Sequence, residues 1–168
     1  VNLSRAQLRE ESLVADIGQV LRASGMEPGQ LQLEITESLA AQDNLVQAKL
    51  RDIKALGVTL ALDDFGTGYS SLSCLHELPI DTVKIDRAFV SVAQHSAYHR
   101  VLIEATILMA ETLGMSTVAE GIETQDQADL MQALRCGKGQ GYLFSKPLIV
   151  SELANWARGR AAIAHGRT

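Results

Sequence analysis

Oxygen-bearing side chains gather in one kind of place in this chain, at or near the ends of short runs rich in Val, Ile, Leu and Thr. Asn2 lies in the first such run, Glu34 and Glu37 in and just after the second, and Asp63-Asp64 close the third. Lys84 and Asp86 close the fourth, Glu120 closes the fifth, and Gln140 enters the sixth. The tips of parallel strands converge in space, and active sites form there. Converging carboxylates repel one another unless they are protonated, paired or metal-bound. Asn2, Glu34, Asp63 and Asp64 are hard oxygen donors, which suit Mg²⁺ or Mn²⁺ and not a thiolate-type zinc site. An adjacent Asp pair can serve two ions, and two ions about 3.5–4 Å apart are the usual device for in-line attack on a phosphodiester. Lys84 would then orient a water or stabilise charge on the phosphate.

Each of these residues also has a purely structural reading. Asp63-Asp64 precede Phe65-Gly66-Thr67-Gly68 and could cap a turn. The Gly66-Thr67-Gly68 stretch lacks the third glycine of a dinucleotide fingerprint. Lys84 and Asp86 stand two apart on a strand, so they point the same way and could form a surface ion pair worth under about 1 kcal/mol. Glu37 suits the first turn of a helix, where the dipole favours a carboxylate. Their succession at strand ends favours the chemical reading over each separate one.

The elements that would position them alternate. Val1–Leu3, Leu31–Thr36, Val58–Asp63, Thr82–Ile85, Thr117–Ala119 and Gly141–Phe144 read as strands, being short and β-prone. Between them lie helical stretches: Leu8–Ser24 before Gly25 and Pro28, Leu45–Leu56 before Gly57, and Tyr98–Leu113 before Gly114. Thr124-Gln125-Asp126-Gln127 reads as a capping box, and Ser151-Glu152 opens a last helix. Strand–helix alternation argues for parallel strands with helical crossovers. Six such units fit an open doubly wound sheet or part of a (β/α)₈ barrel, which usually needs about 250 residues. Residues 1–158 form the expected domain, and 159–168 a loosely held tail.

Composition narrows the classes. The chain has 168 residues, 46% hydrophobic and 21% charged, with a formal net charge of −5. That acidity argues against a groove for DNA or RNA polymers. No apolar run approaches the roughly 18 residues of a membrane span, and no signal peptide is apparent. Val1 stands where an initiator Met would, which reads as a piece of a longer polypeptide. Cys74 and Cys136 lie far apart, which suits a reducing compartment and a cytoplasmic location. His95 and His99 would share a helix face but have no third ligand nearby.

Several motifs resemble those of EAL domains, in order, to about Leu153. They are Leu33-Glu34-Ile35-Thr36-Glu37-Ser38, Ala61-Leu62-Asp63-Asp64-Phe65-Gly66-Thr67-Gly68-Tyr69-Ser70-Ser71-Leu72 and Leu78-Pro79-Ile80-Asp81-Thr82-Val83-Lys84-Ile85-Asp86. Val118-Ala119-Glu120-Gly121-Ile122-Glu123-Thr124, Gln140-Gly141-Tyr142-Leu143-Phe144 and the opening Val1-Asn2-Leu3-Ser4 continue the match. The resemblance implies a TIM-barrel-like (β/α)₈ fold that hydrolyses cyclic di-GMP to pGpG with Mg²⁺ or Mn²⁺. It implies Asn2, Glu34 and Asp63 as ligands of one metal, with Asp63 bridging to a second held by Asp64. It further implies that Lys84 positions the attacking water, and that Glu120 is a further metal-site or base-like carboxylate. Gln140 would contact substrate. Glu37 would pin the loop running through Gly66 to Ser71, and Glu123 would support the site from behind.

Two departures from the family pattern stand out. The first two strands, with the Glu-Ala-Leu motif, are not in this sequence, leaving strands three to eight. Arg135-Cys136-Gly137 replaces the usual Gly-Cys-Asp. Expected partners are cyclic di-GMP, a second copy in a homodimer, and upstream sensory or GGDEF domains that could tether the full-length protein to a membrane. The competing reading is a non-catalytic cyclic-di-GMP receptor or regulatory interaction domain.

Overall fold

The computed structural model describes residues 1–40, 44–66 and 72–165, with side chains omitted for 44, 72–74 and 159–165. Helices α1 (Arg5–Arg9) and α2 (Leu13–Ser24) precede strand β1 (Gln32–Thr36). Then come α3 (Glu37–Ala40), α4 (Asn44–Ala55), β2 (Thr59–Phe65), β3 (Thr82–Ile85), α5 (Arg87–Val92) and α6 (Ala97–Thr112). Strand β4 (Ser116–Ala119), α7 (Gln125–Ala133), β5 (Lys138–Gly139) and α8 (Val150–His165) complete the order.

The sheet is five-stranded and every pairing is parallel, in the order β1-β2-β3-β4-β5. That order separates the two architectures left open by the sequence. A doubly wound sheet reverses strand order at a switch point, whereas a barrel adds each strand beside the last. Strand alternation then sorts the side chains. Leu33, Ile35, Leu60, Leu62, Val83 and Ile85 are buried on one face, packed with Leu50 and Ile53 of α4 and with Ile103 and Ile107 of α6. The other face, the inside of the arc, carries Gln32, Glu34, Asp63, Thr82, Lys84 and Ser116. Its lower part is a polar ladder: Gln32 Nε2 donates to Thr82 Oγ1 at 3.2 Å, and Thr82 and Ser116 hydroxyls meet at 2.9 Å.

Four local readings need correction. Val1–Leu3 makes only an isolated parallel bridge, Asn2 to Glu34, tied by Leu3 N–H to the Glu34 carbonyl and Glu34 N–H to the Val1 carbonyl, each 2.8 Å. Leu8–Ser24 is split between α1 and α2, and the Glu10 carbonyl at the break is taken by Lys49 Nζ at 2.6 Å. Gly141–Phe144 is a turn, and the last strand lies just before it at Lys138–Gly139. This turn wraps the backbone of Ile122, which donates to the Gln140 carbonyl and accepts from Leu143 N–H, both at 3.0 Å. A Cβ on Gly141 would collide with the Ile122 backbone, so the approach requires glycine. Finally, His99 lies in α6 but His95 lies in the turn before it, so they share no helix face. His99 instead bonds Ser96 Oγ at 2.7 Å and packs edge-on against Phe89 and Tyr98.

The capping box at Thr124 forms as expected, with Gln127 reaching back. Helix α8 runs from Val150 to His165. Among the described residues no helix is long and apolar enough to cross a membrane.

The N-terminal ends of the strands are held together by Asp81. Its carboxylate accepts from Lys54 Nζ at 2.6 Å and from Leu60 N–H at 2.8 Å, while its carbonyl accepts Ser116 N–H at 2.8 Å. Thus β2, β4 and α4 meet at one residue just before β3. Asp81→Ala is expected to cost about 1–3 kcal/mol, toward the lower end because both partners are one-third exposed. Urea unfolding reads this directly, and an unchanged midpoint would remove the strap from the account.

Candidate metal centre

The site is built on a local departure from regular strand geometry. Successive residues on a strand point to opposite faces, so a regular β2 would separate Asp63 from Asp64. Leu62 pairs with Val83 but Phe65 pairs with Ile85, so β2 carries one extra residue there. Such a bulge re-aims a side chain. Asp64 takes the left-handed conformation, φ 56°, which Asp tolerates better than most residues. Ligand oxygens of Asp63, Asp64 and Glu120 consequently lie within 4.8 Å of one another.

Lys84 fills the centre of the inner face. Its ammonium stands 2.9 Å from Glu34 Oε2, 2.9 Å from Asp63 Oδ1 and 2.8 Å from Glu120 Oε1. Only 7% of its side chain is exposed. Burial works against the charge, but the facing carboxylates of Glu120, Asp63 and Glu34 outweigh it and hold the ammonium protonated well above its usual range. Asp63 Oδ1 is buried and has no hydrogen-bond partner among the described residues; charge attraction to the Lys84 ammonium at 2.9 Å compensates it. Burial pushes the Glu120 carboxyl up, with Lys84 opposing. Burial, and then the charges of Asp63 and Asp86, push the Asp64 carboxyl up.

The remaining residues divide. Asn2 is bridged to Glu34, so it starts on the same face, although it is exposed. Glu37, 3% exposed at the start of α3, accepts Gly66 N–H at 2.8 Å; Thr67 to Ser71 lie outside the described residues. Gln140 follows β5 at its C-terminal end, not at its entry, and its N–H donates to the Ala119 carbonyl at 2.8 Å. Glu123 does not reach the cluster. It pairs with Arg87 at 2.9 Å on the surface. Lys84 does not pair with Asp86, which caps α5 by accepting Ala88 N–H at 2.8 Å and makes a side-chain contact with Asp64. Arg87 and the Asp64–Asp86 contact were invisible in the sequence, because each joins different strand-end loops with no characteristic spacing.

The donor set fits a divalent cation. All its atoms are oxygens, one buried oxygen lacks a directed donor, and one ammonium faces Glu34, Asp63, Glu120 and nearby Asp64.

Comparison with known proteins gives a consistent family. A family model described as "EAL domain" matches residues 1–147. MucR of Pseudomonas aeruginosa, a bifunctional diguanylate cyclase/cyclic di-GMP phosphodiesterase, is 38% identical over 154 residues, 91% of this chain and 22% of its own length. The MucR phosphodiesterase in complex with c-di-GMP superposes with a TM-score of 0.86, covering 91% of this chain and 62% of that one. The EAL domain of Mycobacterium smegmatis DcpA gives 0.87 at 39% identity, covering 94% and 72%. Klebsiella pneumoniae BlrP1, as a manganese/c-di-GMP complex, gives 0.83 at 31% identity, covering 88% and 38%. The chain spans about a fifth of the length of the curated relatives it matches.

The raised Asp64 and Glu120 carboxyls set a sign for pH dependence. Where the folded group binds its proton more tightly than the unfolded one, stability falls as pH rises through the interval above the ordinary carboxylate value. Asp64→Asn removes one such charge and keeps a residue that tolerates φ 56°. In chelator, its melting temperature at pH 7.5 is expected to rise by about 1–2 °C, a small effect because solvent screens the site. The gain should vanish near pH 4. A lower melting temperature at pH 7.5 would contradict the repulsion described.

Proposed function

Because this chain belongs to the EAL domain family, we propose that it hydrolyses cyclic di-GMP to pGpG, with Mg²⁺ or Mn²⁺ at the Lys84-centred cluster. The observation that carries this reading is the bulge that turns Asp63 and Asp64 together toward Glu120. Asn2, Glu34 and Asp63 would hold one ion, and Asp63, Asp64 and Glu120 a second. Bound there, such ions supply Lewis acidity and make bound water a stronger nucleophile near neutral pH.

The chain's own residues do the rest. Lys84, immobilised by its carboxylate partners, orients the water toward phosphorus. The oxygen of that water forms the new P–O bond as the bond to the ribose 3′ oxygen breaks, leaving a 5′ phosphate. Glu120, whose carboxylate stands 2.8 Å from the Lys84 ammonium, is placed to accept the proton of that water. The departing 3′ oxygen takes a proton from solvent. Glu37 fixes Gly66, where the β2 bulge leads out of the strand. Gln140, beyond Glu120 at the next strand end, contacts the nucleotide.

The relatives support the choice of substrate and cation: MucR is described as a c-di-GMP complex and BlrP1 as a manganese/c-di-GMP complex. The oxygen sensor DosP of Escherichia coli, 36% identical over 157 residues, and the bifunctional MucR support coupling to sensory or GGDEF domains in the intact protein. Asp63→Asn tests the reading, since it removes the charge of the carboxylate assigned to both ions. In the intact protein with Mn²⁺, pGpG formation followed by chromatography is expected to fall at least about a thousandfold. Circular dichroism should remain native. Turnover within tenfold of the unsubstituted protein would overturn the assignment.

A further inference from the structure

The loops that follow β3 and β4 are joined twice. On the inner face, Lys84 meets Glu120 at 2.8 Å. On the outer side, Arg87 at the start of α5 reaches Glu123 at 2.9 Å. Between them lies Gly121, at φ 64°, and the aliphatic stem of Arg87 lies where a Gly121 Cβ would be. The guanidinium end is anchored to a fixed point. Glu123 N–H donates to Gln127 Oε1 at 2.8 Å, and the same oxygen accepts Thr124 N–H at 3.2 Å within the α7 capping box. The other end is fixed as well, because Asp86 caps α5 immediately before Arg87.

We infer that Arg87 is a positioning residue for the metal centre, clamping Gly121 against Glu123 so that Glu120 is presented to Lys84 and to a divalent cation. This inference rests on the function proposed above. Among the described residues Arg87 forms its ion pair with Glu123 and not with a cluster carboxylate, so it acts through the loop that carries Glu120. Its side chain is 62% exposed and that of Glu123 41%. An exposed pair of this kind is worth up to about 1 kcal/mol, which converts to about fivefold in a binding constant. The clamp therefore adjusts the centre and does not create it. An Arg is suited to the place: a long apolar stem covers Gly121 while a planar fork meets the carboxylate.

The test is Mn²⁺ binding to the intact protein, free of other divalent cations, followed by electron paramagnetic resonance of free Mn²⁺. Arg87→Ala and Glu123→Gln are each expected to weaken Mn²⁺ binding about three- to fivefold, with melting temperatures in chelator nearly unchanged. The double substitution should weaken it no further than either alone, since both remove one interaction. Arg87→Lys, which keeps charge and stem, should recover part of the loss. Unchanged Mn²⁺ affinity in Arg87→Ala, or losses that simply add in the double variant, would overturn the clamp while leaving the proposed function intact. Failure of the unsubstituted protein to bind Mn²⁺ would overturn the proposed function, and the clamp with it.

Discussion

One buried ammonium facing converging carboxylates is the constraint on which the rest of this structure depends. Lys84 is nearly inaccessible, and Glu34, Asp63 and Glu120 all lie within 2.9 Å of it. A lone ammonium in that position would lose several kcal/mol of hydration. The same carboxylates without Lys84 would repel one another. Each side of the arrangement therefore depends on the other, and removing the lysine alone would leave uncompensated buried charge, typically costing about 3–5 kcal/mol. Compensation is still incomplete, because Asp63 Oδ1 has no directed donor and the Asp64 and Glu120 carboxyls are pushed up. Such residual negative charge is what a divalent cation would neutralise.

The fold separates this unfavourable end from a favourable one. At the C-terminal ends of the strands, the bulge and the left-handed Asp64 bring like charges together. At the N-terminal ends, Asp81 satisfies Lys54, the Leu60 N–H and the Ser116 N–H from one place. Between the two lies a sheet whose outer face packs mainly apolar side chains against α4 and α6. Leu50, Ile53, Leu60, Leu62 and Val83 are all inaccessible there. Burying a side chain of this kind contributes about 1.5–3 kcal/mol, enough to offset strain at the site. Parallel barrels commonly divide labour this way, with chemistry at the top and stability at the bottom.

Much of the arrangement was legible in the sequence because it follows from period and position. Strands β1 to β4 were recognisable from runs of β-prone residues, and their terminal carboxylates from the strand ends they occupy. What was not legible had a specific cause in each case. The turn at Gly141–Phe144 reads as a strand because its apolar residues pack on Ile122, a contact that no local pattern records. The break between α1 and α2 depends on Lys49 capturing the Glu10 carbonyl from another helix. The choice between open sheet and barrel depends on strand order, which alternation does not encode. Proximity of Asp64 to Glu120 requires a bulge that adjacent aspartates do not announce. Glu123 resembles a residue of the site by motif, yet its side chain turns outward to Arg87, a partner known only once the loops are folded.

The most direct test of the central claim is crystallography of the intact protein with Mn²⁺, locating the ion by its anomalous scattering. The account expects anomalous density among the carboxylates of Asp63, Asp64 and Glu120, with Lys84 retained beside them. Absence of ordered Mn²⁺ at millimolar concentration, with Lys84 still held by Glu34, Asp63 and Glu120, would contradict it. The cluster would then be a self-contained ion-pair network and not a metal centre.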